Sequence, residues 1–402
     1  MSDREAGAHG PPLAGVHVLD ITANMSGPFG TMILGDQGAD VIKLEPLDGD
    51  PMRNVGSGSA GMSGYFANLN RSKRCLAMDL ADPSSRPVLE VLLDWADVVV
   101  HNYRPAAATA LGIDADAVRS GRDRLIHVAV VGYGTTGPFA GRPAYDHVIQ
   151  ALSGFGARQA EGDGEPRLVR HGIIDKLTGL AVAQAVSSAL VRQAREGLGR
   201  SVVIGMLDVA IAVLWPDGMM NHTVVEPELS RPDISNGFRL TATRDGHVAF
   251  TLATAKQLDN LRRAVGLGAD CDETGEGPMR RAGAAMRDAS QRLAELTTDE
   301  AVSLLAAHDV PVAPLVPLAD LHVHPQVVAN GAVGTLDHPV LGTLRQASPL
   351  VRFTDETVAD LRPAARLGEH GPSILAELGI ADEAIADLLS NGVVVAPEVP
   401  DA

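Results

Sequence analysis

The segment His171-Gly172-Ile173-Ile174-Asp175-Lys176-Leu177-Thr178-Gly179 delivers a carboxylate to the start of a long helix, expected from about Lys176 to Glu196. Helix N-termini carry free N–H groups and the positive end of the macrodipole, so Asp175 is expected to stay ionised there. An ionised carboxylate can act as a covalent nucleophile. It can equally be a plain N-cap, one of the commonest uses of Asp. Residue type and position leave both roles open. A second set, Asn102-Tyr103-Arg104-Pro105 and Gly132-Tyr133-Gly134 with Gly137-Pro138, follows strand-like runs. Open α/β sheets bind ligands beyond the carboxyl ends of their strands. Arg104 and Arg142 suit phosphate groups there, or are surface arginines in turn-rich loops. Of the 13 histidines, none forms H-x-x-x-H or H-E-x-x-H, so no metal site is expected.

The elements that must position these residues read as a doubly wound α/β domain. Short apolar runs at Gly15–Ile21, Asp40–Glu45, Cys75–Leu80, Asp97–Tyr103 and Arg124–Tyr133 alternate with helical patterns at Gly27–Gly38 and Pro87–Trp95. Buried parallel strands have this texture. The first turn raises nicotinamide binding, with Glu45 where a ribose ligand would stand. Ser26-Gly27-Pro28-Phe29-Gly30 lacks G-x-G-x-x-G, however, and fits better as a helix start packed on the sheet. The expected organisation is a large domain over 1–200, a linker at 201–230, a small α+β domain at 231–315, a linker at 316–350, and a segment at 351–402 that returns to the large domain. In the small domain, Gly237–Ala242 and His247–Thr251 flank the turn Arg244-Asp245-Gly246. Val310-Pro311-Val312-Ala313-Pro314 looks like an extended connector. One helix pair is expected between Gly368 and Gly392.

The 402 residues, 45% apolar and 21% charged, are enough for two unequal cores. Lys plus Arg number 33 against 50 Asp plus Glu, a formal net charge of −17. That charge repels nucleic acid and anionic lipid, so neither is an expected partner. An anionic ligand needs a local cluster of Arg or backbone N–H groups. No run of about 18 apolar residues stands out, and no membrane span is expected. Met1 to Pro12 reads as a frayed tail rather than a signal peptide. Two cysteines, Cys75 and Cys271, in unrelated contexts point to a reducing cytoplasm without a disulfide framework.

Taken in order, these segments resemble the family III CoA-transferases (CaiB/BaiF). The resemblance is carried by Val18-Leu19-Asp20 with Gly27-Pro28, by Gly38-Ala39-Asp40-Val41-Ile42-Lys43-Leu44-Glu45-Pro46, and by Asn70-Arg71-Ser72-Lys73-Arg74 leading to Met78-Asp79-Leu80. It continues through Ala96 to Pro105, Gly132 to Pro138 and Ala144-Tyr145-Asp146, and ends on Leu367-Gly368-Glu369-His370. It implies a Rossmann-like large domain completed by the C-terminal segment, in an interlocked homodimer.

The resemblance also implies Asp175 as the nucleophile that attacks an acyl-CoA thioester. A mixed anhydride and then an aspartyl-CoA thioester follow, and a carboxylic acid acceptor collects the CoA. Coenzyme A thioester is then a substrate, and no tightly bound cofactor is expected. Family CoA contacts fall on Asn24, Met25 and Ser26, on Met78, Asp79, Leu80 and Ala81, on Asn102, Tyr103 and Arg104, and on Arg142 to Tyr145. Pro46 and Ala110 stand where some relatives place phosphate-binding arginines. No run of consecutive glycines marks the second domain, which argues against formyl-CoA–oxalate specificity. The family's racemases carry a His-Asp pair that falls here on Tyr145-Asp146. Tyrosine, with a free pKa near 10, is a poor replacement base, and the neighbouring His147 is out of register.

Overall fold

The five apolar runs become parallel strands of one sheet, β1 (His17–Ile21), β2 (Asp40–Glu45), β3 (Lys73–Met78), β4 (Val98–His101) and β5 (Ile126–Val131), and a sixth parallel strand, β6 (Ser201–Gly205), lies in the stretch expected to be a linker. A seventh, β7 (Val394–Val395), pairs antiparallel with β3, giving the order β7-β3-β2-β1-β4-β5-β6. The computed structural model describes residues 10–160, 164–229, 238–267, 278–354 and 361–397. The chain divides into two units, Met1–Met220 with Ala332–Ala402, and Asn221–Gly331.

Alternation along the strands sends side chains to two apolar layers. Leu19, Ile21, Ile42, Leu44, Leu76 and Met78 face α2 (Arg86–Trp95) and the C-terminal helices Gly371–Glu377 and Asp382–Ser390. Val18, Val41, Val98, Val100, Val128 and Val130 face α1 (Ser26–Asp36), α4 (Ile173–Glu196) and α5 (Met206–Gly218); α3 (Asp146–Leu152) adds Ile149 to the same layer. Helices α1 and α4 touch at two glycines. A Cβ on Gly30 would lie 2.7 Å from Val182 Cβ, and one on Gly179 would lie 2.8 Å from the carbonyl oxygen of Ser26. This close approach sets the start of α1 beside the first turns of α4.

The smaller unit contains a three-stranded antiparallel sheet of Thr241–Ala242, His247–Phe250 and Val312–Pro314. Val248, Phe250, Leu261, Leu293 and Leu305 fill its core. Helices Ala255–Ala264 and Thr298–Ala307 each begin with a capping box, from Thr254 with Gln257 and Thr297 with Glu300.

Several sequence expectations need correction. Val312–Pro314 is an edge strand, a position that tolerates proline because no inner neighbour needs its missing N–H. The stretch 201–230 is not a bare linker, since it carries β6 and α5, and 316–350 carries the hairpin Val333–His338 with Gly342–Ala347. Helix α4 has 24 residues and a mean hydropathy of 1.2 over an 18-residue window, so one segment is long and apolar enough to cross a membrane. Its buried residues Ile174, Val182 and Val186 pack on the sheet instead. Glu45 is unavailable to a ribose, because it is buried and binds Arg53 through two nitrogens at 2.8 and 2.6 Å. Cys75 is a buried free thiol, and Cys271 lies outside the described residues.

Candidate active site at the carboxyl ends of β1 and β4

Strand order reverses around β1: β2 follows on one side and β4 is added on the other. The loops after β1 and β4 therefore diverge and leave a crevice between them, the switch-point site of open sheets. A cleft of about 260 Å³ opens there, lined by Asn24, Ser26, Asn102, Tyr103, Arg104, Arg142, Tyr145 and Asp175, with Gly132 to Gly134 and Met206 completing the wall. Eight predicted positions thus meet in one place. Gly132 has to be glycine, since a Cβ would lie 2.2 Å from Ala144 Cβ.

The remaining predicted positions behave differently. Met25 is buried, with its sulfur packed against Gly172, and it does not line the cleft. Met78 is 1% exposed, because strand alternation turns it into the core. Asp79 to Ala81 form a turn at the end of β3, with the Ala81 N–H donating to Asp79 Oδ1 at 2.9 Å. Strand β3 lies two places from β1, and this turn does not reach the cleft.

Asp175 is not the helix cap. Helix α4 starts at Ile173 with Gly172 as N-cap and no side-chain cap bond, which leaves Asp175 in the third helical position. The group that receives its N–H is Asp146 Oδ2, at 3.0 Å. Asp146 opens α3 and is buried, and its other oxygen accepts from Gln150 Nε2. Gln150 is fixed in turn by the Val169 N–H at 2.8 Å. A carboxylate from a neighbouring helix therefore caps α4, and Asp175 is left for the cleft.

This arrangement reverses the expectation that the helix N-terminus alone keeps Asp175 fully ionised. Burial raises its pKa, and the negative charge of Asp146 raises it further. Lys176 and a hydrogen bond from Ser26 pull the other way, and the balance stands at about 6. The carboxylate form still dominates at neutral pH. Tyr65, which no sequence signal singled out, is part of the same field. Burial, then Asp175, Asp146 and Asp50, push its pKa up, so its phenol remains a proton-bearing donor.

Among the described residues, Arg104 and Arg142 form no ion pair, although acidic residues outnumber basic ones in the chain. Arg142 stacks on the Phe139 ring at 4.1 Å, which orders it without neutralising it. Two free guanidinium groups in a cleft suit an anionic ligand with phosphates. Tyr145 is 59% exposed at the cleft edge, and His147, stacked on it at 6.4 Å, is not part of the lining. No group of three or more His, Cys, Asp or Glu that could hold a metal occurs among the described residues.

Comparison with known proteins identifies the family. Residues 13–371 match the family described as CoA-transferase family III. The human succinyl-CoA:glutarate CoA-transferase is 31% identical over 396 residues, covering 95% of this chain and 90% of that protein. A formyl-CoA:oxalate CoA-transferase from Shigella sonnei is 25% identical over 412 residues, covering 94% and 99%. Among solved structures, a CaiB/BaiF family protein from Brucella suis superposes with a TM-score of 0.79 at 28% identity, over 92% of this chain and 100% of that one. Rv3272 from Mycobacterium tuberculosis gives a TM-score of 0.78 at 27% identity, covering 90% and 98%. With fold, full-length similarity and cleft in agreement, the chain belongs to CoA-transferase family III and is an enzyme of that family, of class EC 2.8.3.

Proposed function

We propose that this enzyme moves CoA from an acyl-CoA thioester to a carboxylic acid, with Asp175 as the covalent nucleophile. The observation that carries the reading is the cleft itself. It holds a half-buried carboxylate, its pKa pushed up to about 6, in the same space as two arginines that form no ion pair among the described residues. A carboxylate oxygen of Asp175 attacks the thioester carbonyl, the C–S bond breaks, and CoA leaves as thiolate with a mixed anhydride on Asp175. The thiolate then attacks the aspartyl carbonyl and releases the donor acid. Last, the acceptor carboxylate attacks the aspartyl-CoA thioester, and the returning thiolate takes the acyl group from the new anhydride. Each step exchanges one acyl bond for another, so no external energy source is needed. The Tyr65 phenol and the Ser26 hydroxyl supply hydrogen bonds to charge that builds on oxygen.

Arg104 and Arg142 hold CoA phosphates in this reading, and the nucleotide end runs toward the turn Asp79 to Ala81. The similarity to a succinyl-CoA:glutarate enzyme makes short dicarboxylic acids the first donor and acceptor class to examine. A homodimer is part of the proposal, because α5 leaves Ile211, Val213 and Trp215 exposed. The test is a panel of acyl-CoA donors against carboxylic acids with wild type and Asp175→Asn. New acyl-CoA products should form with wild type only. Exchange of the α-hydrogen of a 2-methylacyl-CoA without any acceptor acid would point to racemase chemistry instead.

A further inference from the structure

The loop Thr22-Ala23-Asn24 joins β1 to α1 and carries Ser26 to Asp175. Its main chain is gripped group by group from side chains elsewhere in the sequence, Lys43 and Asp50 buried and Asn102 half-buried. The Thr22 carbonyl accepts from Lys43 Nζ at 2.8 Å. The Ala23 N–H donates to Asn102 Oδ1 at 3.0 Å, and the Ala23 carbonyl accepts from Asn102 Nδ2 at 2.7 Å. The Asn24 N–H donates to Asp50 Oδ1 at 3.2 Å, and Asn24 is held at φ 67°, a left-handed conformation rare outside glycine. Asp50 and Lys43 pair at 3.2 Å, each 1% exposed. The Asp50 N–H is itself anchored on Glu45 Oε2 at 2.8 Å, and Glu45 is clamped by Arg53.

Stability alone is a poor reason for such a construction. Buried ion pairs add little net stability over apolar residues of the same volume. What the arrangement does secure is position. Asn102 spends both ends of its amide on Ala23, which ties together the two loops that diverge at the switch point. Asp50 accepts the N–H of Asn24 while that residue holds its left-handed conformation. Two residues further on, Ser26 lines the same cleft as Asp175.

We propose that Asn102 and Asp50 are positioning residues for the transfer reaction, fixing the backbone of Ala23 and Asn24 so that Ser26 stays against Asp175. Asn102 then acts through the loop and not through a side-chain bond to CoA. The inference rests on Asp175 being the nucleophile. A misplacement of about 1 Å at a reacting group costs on the order of 100-fold, so kcat should carry the effect.

The test compares Ser26→Ala, Asn102→Ala, Asp50→Ala and the double variant Ser26→Ala/Asn102→Ala. Expected results are a fall in kcat of about 10–100-fold for Asn102→Ala and Asp50→Ala, with KM for acyl-CoA changed less than about threefold. The acid limb of kcat against pH should rise in both, as it does in Ser26→Ala, because the hydrogen bond that lowers the Asp175 pKa is lost. Loss of Asn102 in the Ser26→Ala background should add little more. Full additivity, an unmoved acid limb, or a change confined to KM would overturn the proposal. Should these variants not fold, hydrogen exchange in wild type decides: the Ala23 and Asn24 amides should exchange as slowly as those of β1, and surface-loop rates would overturn it. A hydroxylamine-trappable adduct at Asp175 in wild type separates failure of this proposal from failure of the nucleophile.

Discussion

Two charge clusters in the larger unit differ in the sign of the neighbours that surround their carboxylates. Under β1, β2 and β3, acids meet bases. Lys73 Nζ bonds Asp20 Oδ2 at 2.8 Å, and Arg53 grips Glu45. Burial pushes the Asp20 pKa up, but the ammonium groups of Lys73 and Lys43 more than offset it and hold the carboxyl well below its usual range. Burial pushes Lys43 down, and Asp20 and Asp50 reverse that too. At the start of α4, acid meets acid. There burial and Asp146 act in the same direction on Asp175 and bring it to about 6. Burial is common to both clusters. The neighbours set the outcome: opposite charges hold Asp20 and Lys43 in their charged forms, Lys73, desolvated and beside Lys43, is drawn down to about 8, and Asp175 beside another acid is pushed up to about 6.

The contrast is sharpest if one partner is removed from each cluster. Lys73→Met should have the largest effect on the fold. It strips Asp20 of its nearest cation in a fully buried site and should cost about 3–5 kcal/mol in urea unfolding. A midpoint close to wild type would show that the cluster tolerates an unpaired charge. Arg104→Ala comes next. It should weaken CoA binding by about 1–3 kcal/mol, read by calorimetry, if the guanidinium meets a phosphate. An unchanged Kd would return Arg104 to the surface.

Asp146→Asn should have the smallest effect and the most specific one. An asparagine oxygen can still accept the Asp175 N–H, so the loss of stability should stay within about 1–2 kcal/mol. Its missing charge should lower the Asp175 pKa, which moves the acid limb of the rate profile down by about half to one pH unit. The sign follows from the reaction: attack needs the carboxylate, so activity rises with pH through the Asp175 pKa and levels off above it. An acid limb that stays near pH 6 would assign the raised pKa to burial alone.

Much of this was legible in the residues. The five parallel strands β1 to β5 were readable as continuous apolar runs, because both faces of that sheet are buried. Asp175 was readable from its place at a helix start. What the sequence could not show was which carboxylate caps that helix. Asp146 lies 29 residues earlier and reaches the Asp175 N–H only through packing of α3 on α4. Tyr65 was missed for the same reason, since nothing near it in sequence reports three acids close by in space. At Met78 the family motif marks a segment, while strand alternation decides that its side chain turns inward. Strand β7 is two residues long and owes its existence to the open edge of β3.

The most direct test of Asp175 as nucleophile is chemical trapping on the wild-type enzyme. Incubated with an acyl-CoA and hydroxylamine, the protein should acquire a hydroxamate on the peptide that contains Asp175, in an acyl-CoA-dependent way, faster above pH 6 than below it, and not in Asp175→Asn. Turnover without any trapped species at Asp175, together with full activity of Asp175→Asn, would contradict the covalent mechanism and leave Asp175 a structural acid.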